Sequence, residues 1–248
     1  MAEPREHLPR APITEAVVDF RLKPRHQNLF SSIDKLCESF DGYEKQGPIF
    51  HVETNLSLEA KGPKSETKSQ NLGFRLQSPD RKYVLQCRAA GLTISRLEPY
   101  EHWETLTAEA RRVLEIFVEA TQPEAVTRVA TRFINRLNLP MKPNELFEDY
   151  LTEPPGVPKE LPQGVAGFKQ RVVVVNPEID AQANIVQFLQ EGFPATDGVP
   201  VILDIDAYSM VEMPPDAESV WNRLELLRSF KNAAFYASIT EKTAKLYE

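Results

Sequence analysis

Three arginines recur at every fourth position of one strand-like run: Arg128, Arg132 and Arg136. An extended chain rises about 3.3 Å per residue and alternates its side chains, so the three share a face, neighbours about 13 Å apart. A row of guanidinium groups can grip phosphate or carboxylate in bidentate fashion. The same row serves equally as a solvated face whose arginines pair with carboxylates on neighbouring strands. Asp204 and Asp206 could supply those carboxylates, because they stand two apart in an alternating segment and also share one face. With a third ligand and water they would hold Mg²⁺ or Mn²⁺, which is the metal alternative. Facing Arg132 or Arg136 across a sheet, they need no metal. Glu15, with Asp19 and Arg21 on a first strand, completes a mixed-charge surface. The candidate ligand-binding set is therefore Arg128, Arg132, Arg136, Asp204, Asp206 and Glu15. No residue is given a catalytic role.

Other chemistry has little footing. The chain holds no G-x-S-x-G elbow, phosphate loop or dinucleotide glycine fingerprint. Gly62-Pro63-Lys64-Ser65 resembles the end of a phosphate loop but lacks its upstream glycine. The four histidines are scattered, and Cys37 and Cys87 are distant with no C-x-x-C spacing. They imply neither a zinc site nor a disulfide framework, so both cysteines read as small, partly buried apolar side chains. No cofactor is called for. Tyr100, Trp103 and Trp221 could form an aromatic binding set, although tryptophan at the start of a core helix more often packs. The net charge of −7 disfavours broad binding to nucleic-acid backbones.

Several elements must position these residues. Pro12–Leu22 is strand-like, with a helix expected over about 28–40 and strands over 48–60, 71–78, 82–90 and 92–98. Lys61–Gln70 is polar and rich in Lys, Ser and Glu, which predicts a mobile hairpin tip. A long helix over 103–120 carries the apolar stripe Trp103, Leu106, Ala110, Val113, Leu114 and Phe117. After Gln122-Pro123 come a strand at 125–139, a short helix at about 143–151 and a proline-rich connection between Pro154 and Pro162. Strands at 168–177, 183–190 and 199–210 and a closing helix at 217–232 complete the reading, with a last turn or two over 239–247.

These elements can be read as one programme run twice, at a shift of 118 residues, the separation of Trp103 from Trp221. At that shift Tyr83–Ala90 falls on Val201–Tyr208, which sets Gln86 and Arg88 against Asp204 and Asp206. The identical pairs are no more than chance gives, so the case rests on element order. The expected fold is α+β: two pseudo-repeated helix-grip halves, residues 1–122 and 123–248, sharing one curved antiparallel sheet whose concave face would hold any ligand. Hydrophobic content of 42% and charged content of 26% suit a soluble globular chain, and no run nears the roughly 20 apolar residues that span a bilayer. The acidic start Met1–Glu6, with no apolar stretch after it, sets a cytoplasmic expectation.

Ala11-Pro12-Ile13-Thr14-Glu15-Ala16, Arg96-Leu97-Glu98-Pro99-Tyr100-Glu101 with Trp103, and Arg132-Phe133-Ile134-Asn135-Arg136 form a distinctive combination. Leu203-Asp204-Ile205-Asp206 and Phe235-Tyr236-Ala237-Ser238-Ile239-Thr240 belong with them. Together, over nearly the whole chain, they resemble a sporadically distributed prokaryotic family of uncharacterised cytoplasmic proteins of about this length. The resemblance implies a bacterial or archaeal origin and patchy inheritance, as with mobile or defence-associated genes. It carries over no catalytic residue. The leading expectation is a non-enzymatic binding or regulatory protein that recognises a protein partner or a small anionic ligand, and a homodimer stays open. The alternatives are a metal-dependent phosphoryl-transfer or hydrolytic enzyme using Asp204, Asp206 and the arginine row, and a chaperone- or antitoxin-like partner binder.

Overall fold

Alternation decides the centre of the molecule. In Ile13–Lys23, the strand β1, Ala16, Val18, Phe20 and Leu22 are fully or almost fully buried on one face. Ala125–Leu139 alternates likewise, with Val129, Phe133 and Leu137 buried. The two lie antiparallel side by side, Phe20 opposite Val129 and Ala16 opposite Phe133. The computed structural model describes residues 8–25, 30–59, 62–142, 145–158, 165–191, 198–215 and 218–248.

The strands after β1 are β2 (Glu44–Glu59), β3 (Gly62–Gln77), β4 (Tyr83–Arg88) and β5 (Gly91–Leu97), and the Ala125–Leu139 strand is β6. They are followed by β7 (Lys169–Asn176), β8 (Ala181–Leu189) and β9 (Val199–Ser209). Together they form one nine-stranded antiparallel sheet in the order β2-β3-β4-β5-β1-β6-β9-β8-β7. The fold is α+β. The helices are α1 (Phe30–Leu36), α2 (Trp103–Thr121), α3 (Glu218–Ser238) and α4 (Glu241–Ala244).

α2 presents the stripe the sequence predicts: Trp103, Leu106, Ala110, Val113, Leu114 and Phe117 are all buried. Leu106, Val113, Leu114 and Phe117 each contribute on the order of 1.5–3 kcal/mol. It ends at Gln122, left-handed at φ 44, whose N–H donates to the Val118 carbonyl. α3 buries Val220, Leu224 and Leu227 in the same core, which also takes in Val18, Phe20, Ile94, Val129 and Phe133. Both helices thus cover one face of the sheet, and they cross over at the centre. Trp103 of α2 packs on Phe133 of β6, while Trp221 of α3 meets Phe20 of β1 edge-on with ring centroids 5.6 Å apart. Both tryptophans pack at the centre of the molecule.

Gly91 starts β5 at φ 149, where a Cβ would fall 2.1 Å from the Phe20 carbonyl oxygen, so β5 can reach β1 only with glycine there.

Three expectations need correction. The polar run predicted as a hairpin tip is β3 from Gly62 onward, paired residue for residue with β2, and Lys61 lies outside the described residues. Pairing with a partner strand, not intrinsic propensity, holds such a segment extended. The short helix expected over 143–151 is only a 3₁₀ turn at Phe147–Asp149, with residues 143–144 outside the described set. The constant shift of 118 also sets unlike strands against each other. Tyr83–Ala90 contains β4, two strands from β1, whereas Val201–Tyr208 lies in β9, directly beside β6. The first helix begins within the described residues at Phe30, and the expected start at Asn28 lies outside them. The proline-rich connection is described only as far as Pro158.

Candidate functional site

The sheet face opposite α2 and α3 gathers most of the predicted site residues. Register puts Glu15, Val17, Asp19 and Arg21 of β1 on the same side as Arg128, Ala130, Arg132 and Ile134 of β6, and Asp204 and Asp206 of β9 join them. Arg132 meets Asp204 in a two-pronged contact, Nε to Oδ1 at 2.7 Å and Nη2 to Oδ2 at 2.5 Å. Arg128 bridges two carboxylates: Nη1 donates to Asp19 Oδ1 at 2.5 Å, and Nη2 lies 3.1 Å from Asp206 Oδ2.

The chain of contacts continues outward on both sides. Asp19 Oδ2 accepts from Thr93 Oγ1 at 2.7 Å, and Thr93 Oγ1 accepts from Arg88 at 3.1 Å. Arg21 adds a second cation 3.3 Å from Asp19. On the other side Arg128 lies over the Tyr208 ring at 4.9 Å, and the Tyr208 hydroxyl donates to Gln182 at 2.7 Å. A polar ladder thus crosses β4, β5, β1, β6, β9 and β8. Burial pushes the Asp206 carboxyl up, while Arg128 and then Arg132 pull it the other way. The hydrogen bonds that Arg132 donates to Asp204 push its guanidinium further up, with the negative charges of Asp206 and Glu15 adding to the effect.

The arginine that contacts Asp206 is Arg128, and Arg136 stands further along, opposite Ile202. Strand alternation allows either; the register sets Arg132 directly opposite Asp206, and the Arg128 side chain reaches that carboxylate diagonally. The aspartates are engaged by guanidinium groups, and among the described residues no group of three or more His, Cys, Asp or Glu is placed to hold a metal ion. The two cysteines, remote in sequence, are both buried and belong to the same hydrophobic core. No spacing rule could have shown that proximity, because Cys37, in the 3₁₀ turn Cys37–Ser39 after α1, and Cys87 of β4 meet only through the shared core.

A second feature stands out at the sheet's edge. Only Gly73–Gln77 of β3 pair with β4. Beyond them β2 and β3 pair solely with each other, out to Glu59 and Gly62, as a two-stranded ribbon. One face of that ribbon carries Phe50, Val52, Thr54, Leu56 and Leu58, and the other carries His51, Glu53, Asn55 and Ser57. The apolar members are bare, Phe50 and Val52 at 58% exposure, Leu56 at 80% and Leu58 at 90%. The alternation of Phe50 to Leu58 was present in the sequence as a strand signal, but nothing there showed that its apolar side lacks cover.

No family model matches the chain, and no curated protein aligns with it. Among the described residues no helix is long and apolar enough to cross a membrane.

Proposed function

We propose that this chain is a non-enzymatic binding or regulatory protein that docks a protein partner on the apolar stripe of its β2–β3 ribbon. The observation that carries the reading is the bare row Phe50, Val52, Leu56 and Leu58 on a two-stranded arm. An isolated ribbon is marginally stable in water, and apolar side chains in a contiguous exposed row mark interaction surfaces. Covering the row would both stabilise the arm and bury its apolar area. The charges Glu53, Glu66, Lys64 and Lys68 lie on the ribbon's other face, whereas Ser65, Thr67, Ser69 and Asn71 of β3 stand beside the apolar row, so the contact is apolar with a neutral polar margin.

The open face supports the same reading. Its arginines and aspartates already satisfy one another, which suits a rigid scaffold better than a metal-dependent hydrolase. The two-halves architecture belongs to the proposal too. Strands β3-β4-β5-β1 and β7-β8-β9-β6 run in matching order, and each set is followed by a helix on the same face. We read them as two helix-grip halves, residues 1–122 and 123–248, folding as one unit with a curved sheet. On the resemblance of Arg132–Arg136, Leu203–Asp206 and Phe235–Thr240 we place the protein in the sporadic prokaryotic family, as a cytoplasmic member of a mobile or defence-associated system.

The test pairs Leu56→Asp with Leu58→Asp. Light scattering of the purified chain reports self-association, and titration against the purified products of adjacent genes reports a distinct partner. The proposal expects one such complex, weakened at least tenfold by the double substitution with melting unchanged. A complex indifferent to the substitution, or none of either kind, would contradict it.

A further inference from the structure

On the helix-covered side, away from the ribbon and the ladder, a cavity of about 250 Å³ lies between α3, the start of α2 and the strands β1 and β6. Tyr100, Trp103, Phe133 and Phe235 give it aromatic walls, and Asn135 and Asn232 add amides. Lys231 also lines it, although the residue is only 7% exposed. Its Nζ lies 3.6 Å from the centre of the Phe133 ring. Among the described residues no carboxylate pairs with it, and the charge that acts on it is the like charge of Arg228.

That arrangement is costly for a purely structural residue. An ammonium removed from water without a counter-ion loses several kcal/mol of hydration. The ring face returns on the order of 1–2 kcal/mol. Leucine or methionine would fill the same place with no such loss, so the charge needs a reason. Burial, and then Arg228, push the lysine down to about 7, so that it exchanges its proton near neutrality.

We propose that this cavity binds a small organic monocarboxylate with an apolar ring. The carboxylate would take Lys231 Nζ as counter-ion, and the ring would lie among Tyr100, Trp103 and Phe133. A single charge is indicated because the other cation at the site, Arg228, already faces Glu225 at 3.4 Å and Glu104 at 3.8 Å. The volume falls just below the range of about 300–1,000 Å³ usual for drug-sized ligands, which excludes a nucleotide. Helical spacing sets Lys231 on the same stripe of α3 as Val220, Leu224 and Leu227, a charge on an apolar face.

Calorimetric titration of the full chain at about pH 6, where an amine of this kind is charged, tests the site with benzoate, benzamide and inorganic phosphate. Benzoate should bind saturably at one site, and benzamide and phosphate at least tenfold more weakly. Lys231→Met should lower benzoate affinity at least tenfold while still melting cooperatively. Benzoate should also protect Lys231 of the unaltered protein from carbamylation by cyanate, a readout that needs no variant. No saturable benzoate binding, a preference for phosphate, or equal benzoate affinity in Lys231→Met would overturn the proposal.

Discussion

Arg128 holds two carboxylates on two different strands, Asp19 of β1 at 2.5 Å and Asp206 of β9 at 3.1 Å, from its own place on β6 between them. It ties β1 to β9 across β6 on the open face of the sheet. Arg132, one rung along, pairs with Asp204 alone and is far more exposed, 47% against 19% for the Arg128 side chain.

The two arginines should therefore differ sharply on removal. Arg128→Ala leaves Asp19, only 8% exposed, facing a lost partner, and should cost about 3 kcal/mol. Arg132→Ala breaks a half-exposed pair and should cost about 1 kcal/mol or less. Urea unfolding of both variants measures the gap, and equal losses would show that the ladder has no buried centre.

Lys231 makes stability depend on pH in a definite direction. Its folded value of about 7 lies below the ordinary 10.5, so between those limits the unfolded chain holds a proton that the folded chain has released. Stability contributed by this group is lowest below pH 7 and rises as pH climbs toward 10.5. Lys231→Met should melt higher than the parent at about pH 6, with the difference shrinking by about pH 9. A variant that melts lower at the acid end would show that the ammonium has a counter-ion.

Glu145 works in the opposite sense. Its carboxylate accepts from Lys242 at 2.7 Å, from the Lys142 backbone N–H at 2.8 Å and from the Tyr150 hydroxyl at 2.8 Å. The Lys242 contact first, then the backbone one, hold it down at about 2. A depressed carboxyl stabilises above its unfolded value of 4.5 and loses that contribution as pH falls toward 2. Glu145→Gln should be less stable than the parent at neutral pH and lose less on acidification, read by melting across that window. An unchanged acid slope would remove Glu145 from the account of how the C-terminal turn α4 is fastened.

The sequence showed the centre of the molecule well and its edge poorly. Ala125–Leu139 is legible to the residue because Val129, Thr131, Phe133 and Leu137 alternate with Arg128, Arg132 and Arg136. The shared face of Arg128, Arg132, Asp204 and Asp206 follows from the same alternation, but which arginine meets which aspartate does not: the register sets Arg132 opposite Asp206, yet the side chains reach diagonally, Arg132 to Asp204 and Arg128 to Asp206. Residues 62–70 misled because Lys, Ser and Glu signal a loop when read alone, yet pairing with β2 keeps them extended. Lys231 stands at helical spacing on the stripe of Val220, Leu224 and Leu227, but its contact with Phe133, 98 positions earlier in the chain, is a tertiary feature that spacing does not show.

The central claim is that the ribbon is a docking arm, and binding by the Leu56→Asp, Leu58→Asp variant tests it most directly. With residues 80% and 90% exposed and no core contact to lose, the variant should melt within about 1 °C of the parent. Its complex, whether with a second copy or with the product of an adjacent gene, should weaken at least tenfold. A complex of undiminished affinity, or a parent chain that forms none, would contradict the account.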